Sequence, residues 1–403
     1  MKDIKALIIF FFSSFSVFGQ NLPDTTKLPF AIADEKKIPD EDLINKKEGY
    51  YVTGVPDISS DPVNGFGVGI EGSLFFNGKR SDPFFQYTPY RSKLDIALFY
   101  TTKQQRELKV AYDVPYIFNT KWRLRMEAAY EVNPNLLYFG KDETSLNELQ
   151  HGGKSYNNFD AYDAALSNRR PGASAGEAAV VTDKFYNTYQ KEEAIFNMSA
   201  EHSYLDSKLR LLSGYEIAWV NISTFENKLS DANDLGGSSV STPNGLSKLK
   251  DDNNQNKISG YGANLISMFQ LGIVYDTRDL ETDPSKGVFG EVTNEYSNAA
   301  IGSTFNFNKT FIHGKFYTQL FPSIFKRLIF ASRLGVGYTA GDAPFYEYQD
   351  EWSSEGSIEG LGGGAHDKGL QTSPFPWTCN GFRQYRIALA LRTNGSVQTT
   401  FSL

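Results

Sequence analysis

A single cysteine, Cys379, among 403 residues excludes an intrachain disulfide framework, so an exported form must be stabilised by pairing and packing. Histidine is nearly as scarce. The four, His151, His202, His313 and His366, show no paired ligand spacing, and no metal centre or other cofactor is expected. Long apolar runs are missing too: nothing beyond the first twenty residues approaches the ~20 consecutive apolar residues that a membrane helix needs. The chain has no excess of basic charge, and its net charge of −7 argues against nucleic acid as a partner. The only apolar run opens the chain, where Lys2 and Lys5 precede residues 6–12 and the small residues Val17 and Gly19 follow. That order predicts a signal peptide over residues 1–19, cut before Gln20, with no cysteine nearby for a lipid anchor.

What the chain does have is aromatics, 31 Phe and 23 Tyr, in a sequence whose mean hydropathy stays polar. Strands that show one face to lipid and the other to water produce that mixture. Residues 20–49 are rich in Asp, Glu, Lys and Pro with few apolar positions, and they are expected to form a periplasmic linker. Alternation of period two follows. Trp122, Leu124, Met126, Ala128, Tyr130 and Val132 fall on one face, and Arg123, Arg125, Glu127 and Glu131 on the other. Leu209, Leu211, Tyr215, Ile217 and Trp219 likewise oppose Lys208, Arg210 and Glu216. Similar runs occur around 94–100, 108–114, 271–276 and 328–338.

A soluble sandwich would also alternate. These segments, however, reach the ~10 residues of a tilted membrane strand, beyond the five or six typical of sandwiches. Phe75, Phe76, Tyr100, Tyr116, Tyr130 and Tyr338 lie near strand ends, as in an interfacial girdle. Short turns at 102–106, 117–121 and 205–207 contrast with long polar loops at 140–185 and 226–258. The expected fold is therefore all-β, an antiparallel transmembrane β-barrel in the outer membrane of a Gram-negative bacterium, in contact with its lipid. About ten strands are counted, and on that count the long loops do not all fall on one rim. The inward charges Arg123, Arg125, Glu127, Glu131, Lys208 and Arg210 either line a pore or neutralise one another inside the lumen; the second is favoured.

From Gly49 to about Gly363, the runs YYVTGVPDISSDPVNGFGVGIEGSLFFNGKRSDPFFQYTPYR, YDVPYIF and NPNLLYFG resemble the Bacteroidetes branch of the surface-antigen superfamily. BamA and TamA, the barrel-assembly proteins, belong to that superfamily. YDTRDLETDPSKGVFGEV resembles its strand–turn–strand signature, here Asp276, Arg278, Asp279, Pro284 and Gly287. Without the family, Pro284 fixes φ and Gly287 tolerates a positive one, so a tight turn with solvated charges is the plainer account. The resemblance implies sixteen strands and a function in inserting barrel proteins or moving polypeptide or lipid across the outer membrane. Client barrel proteins or periplasmic factors are the implied partners. A passive pore is the rival reading, and no enzyme is expected.

The resemblance breaks near Gly363. An Arg-Gly-aromatic motif is implied there for the large inward loop, but Leu361, Gly362 and Gly363 run into GAHDKGLQTSPFPWTCNG. Codons read one base out of step permit R-T-I-R-G-Y from Ala365 onward, with a Gly forced across Trp377 and Thr378. On this reading residues 50–363 are the N-terminal and central part of the barrel, ten to eleven strands in an open curved sheet. Residues 364–403 are an out-of-frame tail without selected structure, in which Gly381, Phe382 and Arg383 only mimic the loop motif, and the chain is expected not to function as written. Three other motifs are read plainly. GASAG at Gly172, Ser174 and Gly176 fits a nucleophile elbow but lacks the preceding strand. DANDLGG and DDNNQNK are polar loops without calcium-loop spacing. Gly65, Gly67 and Gly69 are small residues on a strand, letting side chains pass.

Overall fold

The structure, a computed structural model, describes residues 27–61, 63–140, 149–167, 182–230, 242–279, 284–325, 328–347, 352, 354, 381–391 and 400–401. Alternating segments become β1 (Tyr50–Asp61), β2 (Gly65–Phe76), β3 (Ser92–Thr101), β4 (Arg106–Val114) and β5 (Trp122–Leu137). A small hairpin, β6 (Leu149–His151) with β7 (Lys154–Tyr156), precedes β8 (Thr188–Tyr204) and β9 (Leu209–Thr224). A second small pair, β10 (Leu229–Ser230) with β11 (Thr242–Pro243), precedes β12 (Gly262–Asp276), β13 (Gly287–Ser297), β14 (Phe307–Gln319) and β15 (Leu328–Gly341). β16 (Gly381–Leu391) and β17 (Thr400–Phe401) follow, and the short helices are α1 (Asp40–Asn45), α2 (Phe159–Ser167) and α3 (Lys248–Asn254).

Apart from the two small pairs, thirteen strands form one antiparallel sheet in chain order, open, with β1 at one end and β17 at the other. Eleven of them precede residue 363, in line with the expected ten to eleven. The other two lie in the segment expected to be an out-of-frame tail without selected structure. Gly381, the supposed decoy, starts β16, which runs antiparallel to β15 from Gly381↔Tyr338 to Leu391↔Leu328. An unpaired edge of β15 accepts any extended segment with free backbone groups, and GFRQYRIALAL carries the aromatic and branched residues that suit one.

The strands set two rims. β1–β2, β3–β4, β5–β8, β9–β12 and β13–β14 connect on what is here the upper rim, and β2–β3, β4–β5, β8–β9, β12–β13 and β14–β15 on the lower. Both long loops leave and re-enter the sheet on the upper rim, because β8 and β9 between them return the chain to the same side; the count of about ten strands, which divided the loops between two rims, was one short. DDNNQNK is likewise no loop; most of it belongs to α3, where Ser247 Oγ caps the first turn by accepting from Lys250 N. DANDLGG, GASAG, Leu361 to Gly363 and His366 lie outside the described residues.

Two faces separate as the period-two pattern requires. On β12, Phe269, Leu271, Ile273 and Tyr275 are exposed while Met268, Gln270, Val274 and Asp276 are buried. The same parity on β5 buries Arg123, Arg125 and Glu127. Pro134, which has no N–H for the ladder, sits where the β5–β8 register shifts between Asn133 and Leu136. On β2 a Cβ at Gly67 would lie 2.5 Å from the Phe99 ring and one at Gly69 2.8 Å from it, so the glycines form a slot for that side chain. Tyr100 and Tyr338 are on the exposed face, but Phe75 and Tyr116 do not join a girdle. Phe75 stacks on Tyr51 at 4.7 Å and meets Tyr90, while Tyr116 packs against Phe30 and Phe84.

Residues 27–49 lie across the lower rim as a strap. Phe30 sits 5.6 Å from Phe84 and 5.4 Å from Tyr116, and Ile32 and Ala33 are buried. Ala33 N donates to Asp206 O at 3.0 Å and Ile38 N to Gln86 O at 2.8 Å. A few apolar residues suffice here because the barrel supplies the other half of the contact.

Candidate functional site on the inner wall

The buried face carries a continuous row of opposite charges near the lower rim. Asp113 on β4 accepts a two-pronged bond from Arg123 on β5, at 2.8 and 2.6 Å, and a third from Tyr90 Oη at 2.7 Å. Arg125 lies 3.3 Å from Glu201 on β8, Glu201 lies 3.3 Å from Arg210 on β9, and Arg210 lies 3.4 Å from Asp276 on β12. Asp276 is held by Arg278 through Nε and Nη2, both at 3.0 Å, and by Lys36 of the strap at 3.4 Å. The row therefore crosses five strands and ends on a residue from outside the sheet. Removing one partner from such a buried pair leaves an uncompensated charge, at a cost of about 3–5 kcal/mol.

The turn residues named from sequence divide between two tasks. Asp276 and Arg278 are not solvated but buried, and the Arg278 guanidinium also lies 4.4 Å from the centre of the Phe289 ring. Asp279 instead closes the turn, accepting from Ser285 N at 2.9 Å, Lys286 N at 3.3 Å and Ser285 Oγ. Half-buried Pro284 enters β13, and Gly287 has φ +114°, where a Cβ would lie 2.5 Å from Thr277 O. Lys208 is half-buried beside this group, its carbonyl accepting from Asp276 N at 2.8 Å. Glu127 pairs with Lys109 at 3.2 Å, and Glu131 sits opposite Glu107 in the β4–β5 register.

Higher on the wall, a second polar row runs through Asn197, Glu216, Gln270, Glu295 and Lys309. Asn197 Nδ2 donates to Glu216 and to Gln270 at 2.9 Å each, Gln270 Nε2 donates to Glu295 at 3.1 Å, and Lys309 pairs with Glu295 and Glu347. Above it the wall turns apolar. Ala218, Val220, Ile222, Ile266 and Met268 pack with Leu249 of α3 and Ala343, so the upper-rim loops fold over that end. Tyr138 Oη donates to Asp252 of α3 at 3.0 Å, and Lys248 grips the same carboxylate at 2.6 Å.

The described residues that follow β15 sit at two levels of this wall. Ala343 belongs to the upper apolar cluster, whereas buried Trp352 packs with Leu212, Val274 and Phe289 near the lower row. Thr293 Oγ1 donates to Trp352 O at 2.9 Å and Ser354 N to Glu291 at 2.6 Å. Sequence reasoning found the arginines of the lower row and the polar parity of Asp113 but missed Glu201, Lys36 and Trp352. Glu201 was legible as a polar position of the right parity; Lys36 and Trp352 come from non-alternating segments and gave no signal.

A two-faced sheet with a strand–turn–strand motif built around Asp276, Arg278 and Gly287 agrees with what known families contain: residues 92–351, more than half of the chain, match the Omp85 superfamily domain. The chain belongs to the Omp85 superfamily. Residues 28–91, comprising the strap, β1, β2 and the connection to β3, match a domain of unknown function, DUF5982. Among solved structures the chain is similar to the crystal structure of BamA from Haemophilus ducreyi lacking POTRA domains 1–3, with 13% identity and a TM-score of 0.40. The match covers 79% of this chain and 47% of that one, so this chain spans about half the length of that structure's chain. None of the curated proteins matches it. As an Omp85 protein it resides in the outer membrane of a Gram-negative bacterium, where the exposed apolar face meets lipid.

Proposed function

We propose that this chain forms the wall of an assembly or translocation barrel that acts on protein or lipid at the outer membrane, with the client presented at the sheet edge and not passed through an open lumen. The observation that carries this reading is the state of the inner wall. Its lower row of charges is ion-paired from Asp113 to Arg278 and joined to the strap, and its upper end is packed under the loops. Lumen-facing Arg123, Arg125, Glu127, Glu131, Lys208 and Arg210 act here as wall structure, without the free charge that a passive pore needs to select ions. β1 stands at the end of the sheet and contains Pro56, a residue tolerated on edge strands. Its unpaired backbone groups are suited to template an incoming strand.

The test is reconstitution of the full chain in liposomes with an unfolded outer-membrane barrel protein as client. Client insertion above that in protein-free liposomes is expected, together with no steady single-channel current; insertion would set aside the expectation that the chain does not function as written. Steady unitary conductance without stimulated insertion would replace this reading with the passive pore.

A further inference from the structure

Three turns of the lower rim share an anomaly. Phe118 between β4 and β5, Leu205 between β8 and β9, and Phe321 between β14 and β15 have φ of +54°, +48° and +46°. That left-handed region suits glycine and asparagine and strains bulky L side chains. The same three side chains are 69%, 67% and 62% exposed. In water each is disfavoured twice, by its backbone and by its bare apolar surface, and neither disadvantage offsets the other.

The surroundings supply a reason. Directly above these turns the exposed face of the sheet ends in aromatics: the Trp122 ring lies 4.7 Å from His202, and His202 lies 4.5 Å from Tyr204, the residue before Leu205. Phe316 is exposed on the same face of β14, and Ile324, in the turn with Phe321, is 73% exposed. The apolar outer face thus continues past the strand ends onto the turns. Apolar side chains that carry an aromatic outer face beyond the strand ends match the boundary between acyl chains and headgroups, where rings and aliphatic side chains enter the hydrocarbon.

We propose that Phe118, Leu205 and Phe321 are turn-mounted anchors seated in the periplasmic leaflet of the outer membrane. The turns hold strained backbones because that conformation carries the side chain beyond the end of the strand. The proposal concerns how the wall is held in the bilayer and does not depend on what the barrel assembles or moves.

The full chain, in a Cys379→Ser background, is placed in vesicles of phosphatidylethanolamine and phosphatidylglycerol. Leu205→Cys and Phe321→Cys each carry an environment-sensitive fluorophore. Quenching by nitroxide-labelled lipid is expected to exceed quenching by aqueous iodide at both sites; the reverse order, as on a surface left for a protein partner, would overturn the proposal. A second measurement depends on sign. Asparagine accepts the left-handed backbone, so if these turns were in water, Leu205→Asn and Phe321→Asn would raise the unfolding midpoint. In the vesicles we expect the midpoint to fall, and a rise or no change would overturn the proposal. Leu205→Trp keeps the apolar contact while reporting folding, and its emission should shift to the blue and be quenched by the labelled lipid; emission typical of water would count against the anchor.

Discussion

One strand, β9, carries both halves of the inner wall. Its lower buried positions are Arg210, Leu212 and Glu216, and its upper ones Ala218, Val220 and Ile222. Backbone, parity and neighbours are the same, yet the lower half is closed by ion pairs and a strap from the N-terminal segment, and the upper half by folded loops packing on aliphatic side chains. The two closures differ in kind. Apolar packing is non-directional and loses stability in proportion to the atoms removed, whereas the charged row depends on each member being present.

Breaking the charged half should have the larger effect. Asp276→Ala removes the carboxylate shared by Arg210, Arg278 and Lys36 and strands buried cations, so chemical unfolding in micelles should show a loss of about 3–5 kcal/mol. A loss below about 1 kcal/mol would mean that the row is hydrated and its members independent. On the apolar half, fully buried Met268→Ala should cost about 2–4 kcal/mol through lost contact and an unfilled cavity. That loss should not respond to added salt. Smaller again, Phe30→Ala takes one half-buried ring from the clasp with Phe84 and Tyr116, and about 1 kcal/mol of global stability. Its clearer readout is local: proteolysis within residues 28–48 should accelerate while the strands stay protected.

The outward and inward assignments on β5, β9 and β12 were legible because period two is a local property, and a single strand such as Trp122–Leu137 displays it without its neighbours. The Asp276–Gly287 turn was legible as turn chemistry, but the burial of Asp276 and Arg278 was not. Their burial depends on Arg210 and Lys36, which are remote in sequence. The strap was misjudged for a related reason. Counting apolar residues asks whether a segment can build its own core, and Phe30, Ile32 and Ala33 need only complete one that the rim turns provide. β16 was missed because pairing to an open edge asks little of side-chain pattern.

The finest test of the contrast concerns how the strap is held at its far end. Lys46 donates to Phe85 O and Thr88 O at 2.6 Å each and lies 4.1 Å from the centre of the Phe85 ring. Burial lowers its pKa from 10.5 to about 8; nearby Asp82 opposes the shift and Arg91 adds to it. Between those two values the released strap binds one more proton than the docked strap, so docking strengthens as pH rises from about 8 towards 10.5 and is weakest below about 8. A lysine held mainly by a carboxylate would behave differently: its pKa would be raised, so its contact would hold through this range and weaken only above about 10.5. Fluorine-labelled Phe30 would report docked and free strap as separate resonances, and the docked fraction should increase across that window. Lys46→Met, which keeps the apolar stem without a titrating group, should flatten the profile at the docked level. A docked fraction that stayed level up to about 10.5 and fell only above it would mean that the Asp82 charge, and not burial, governs Lys46.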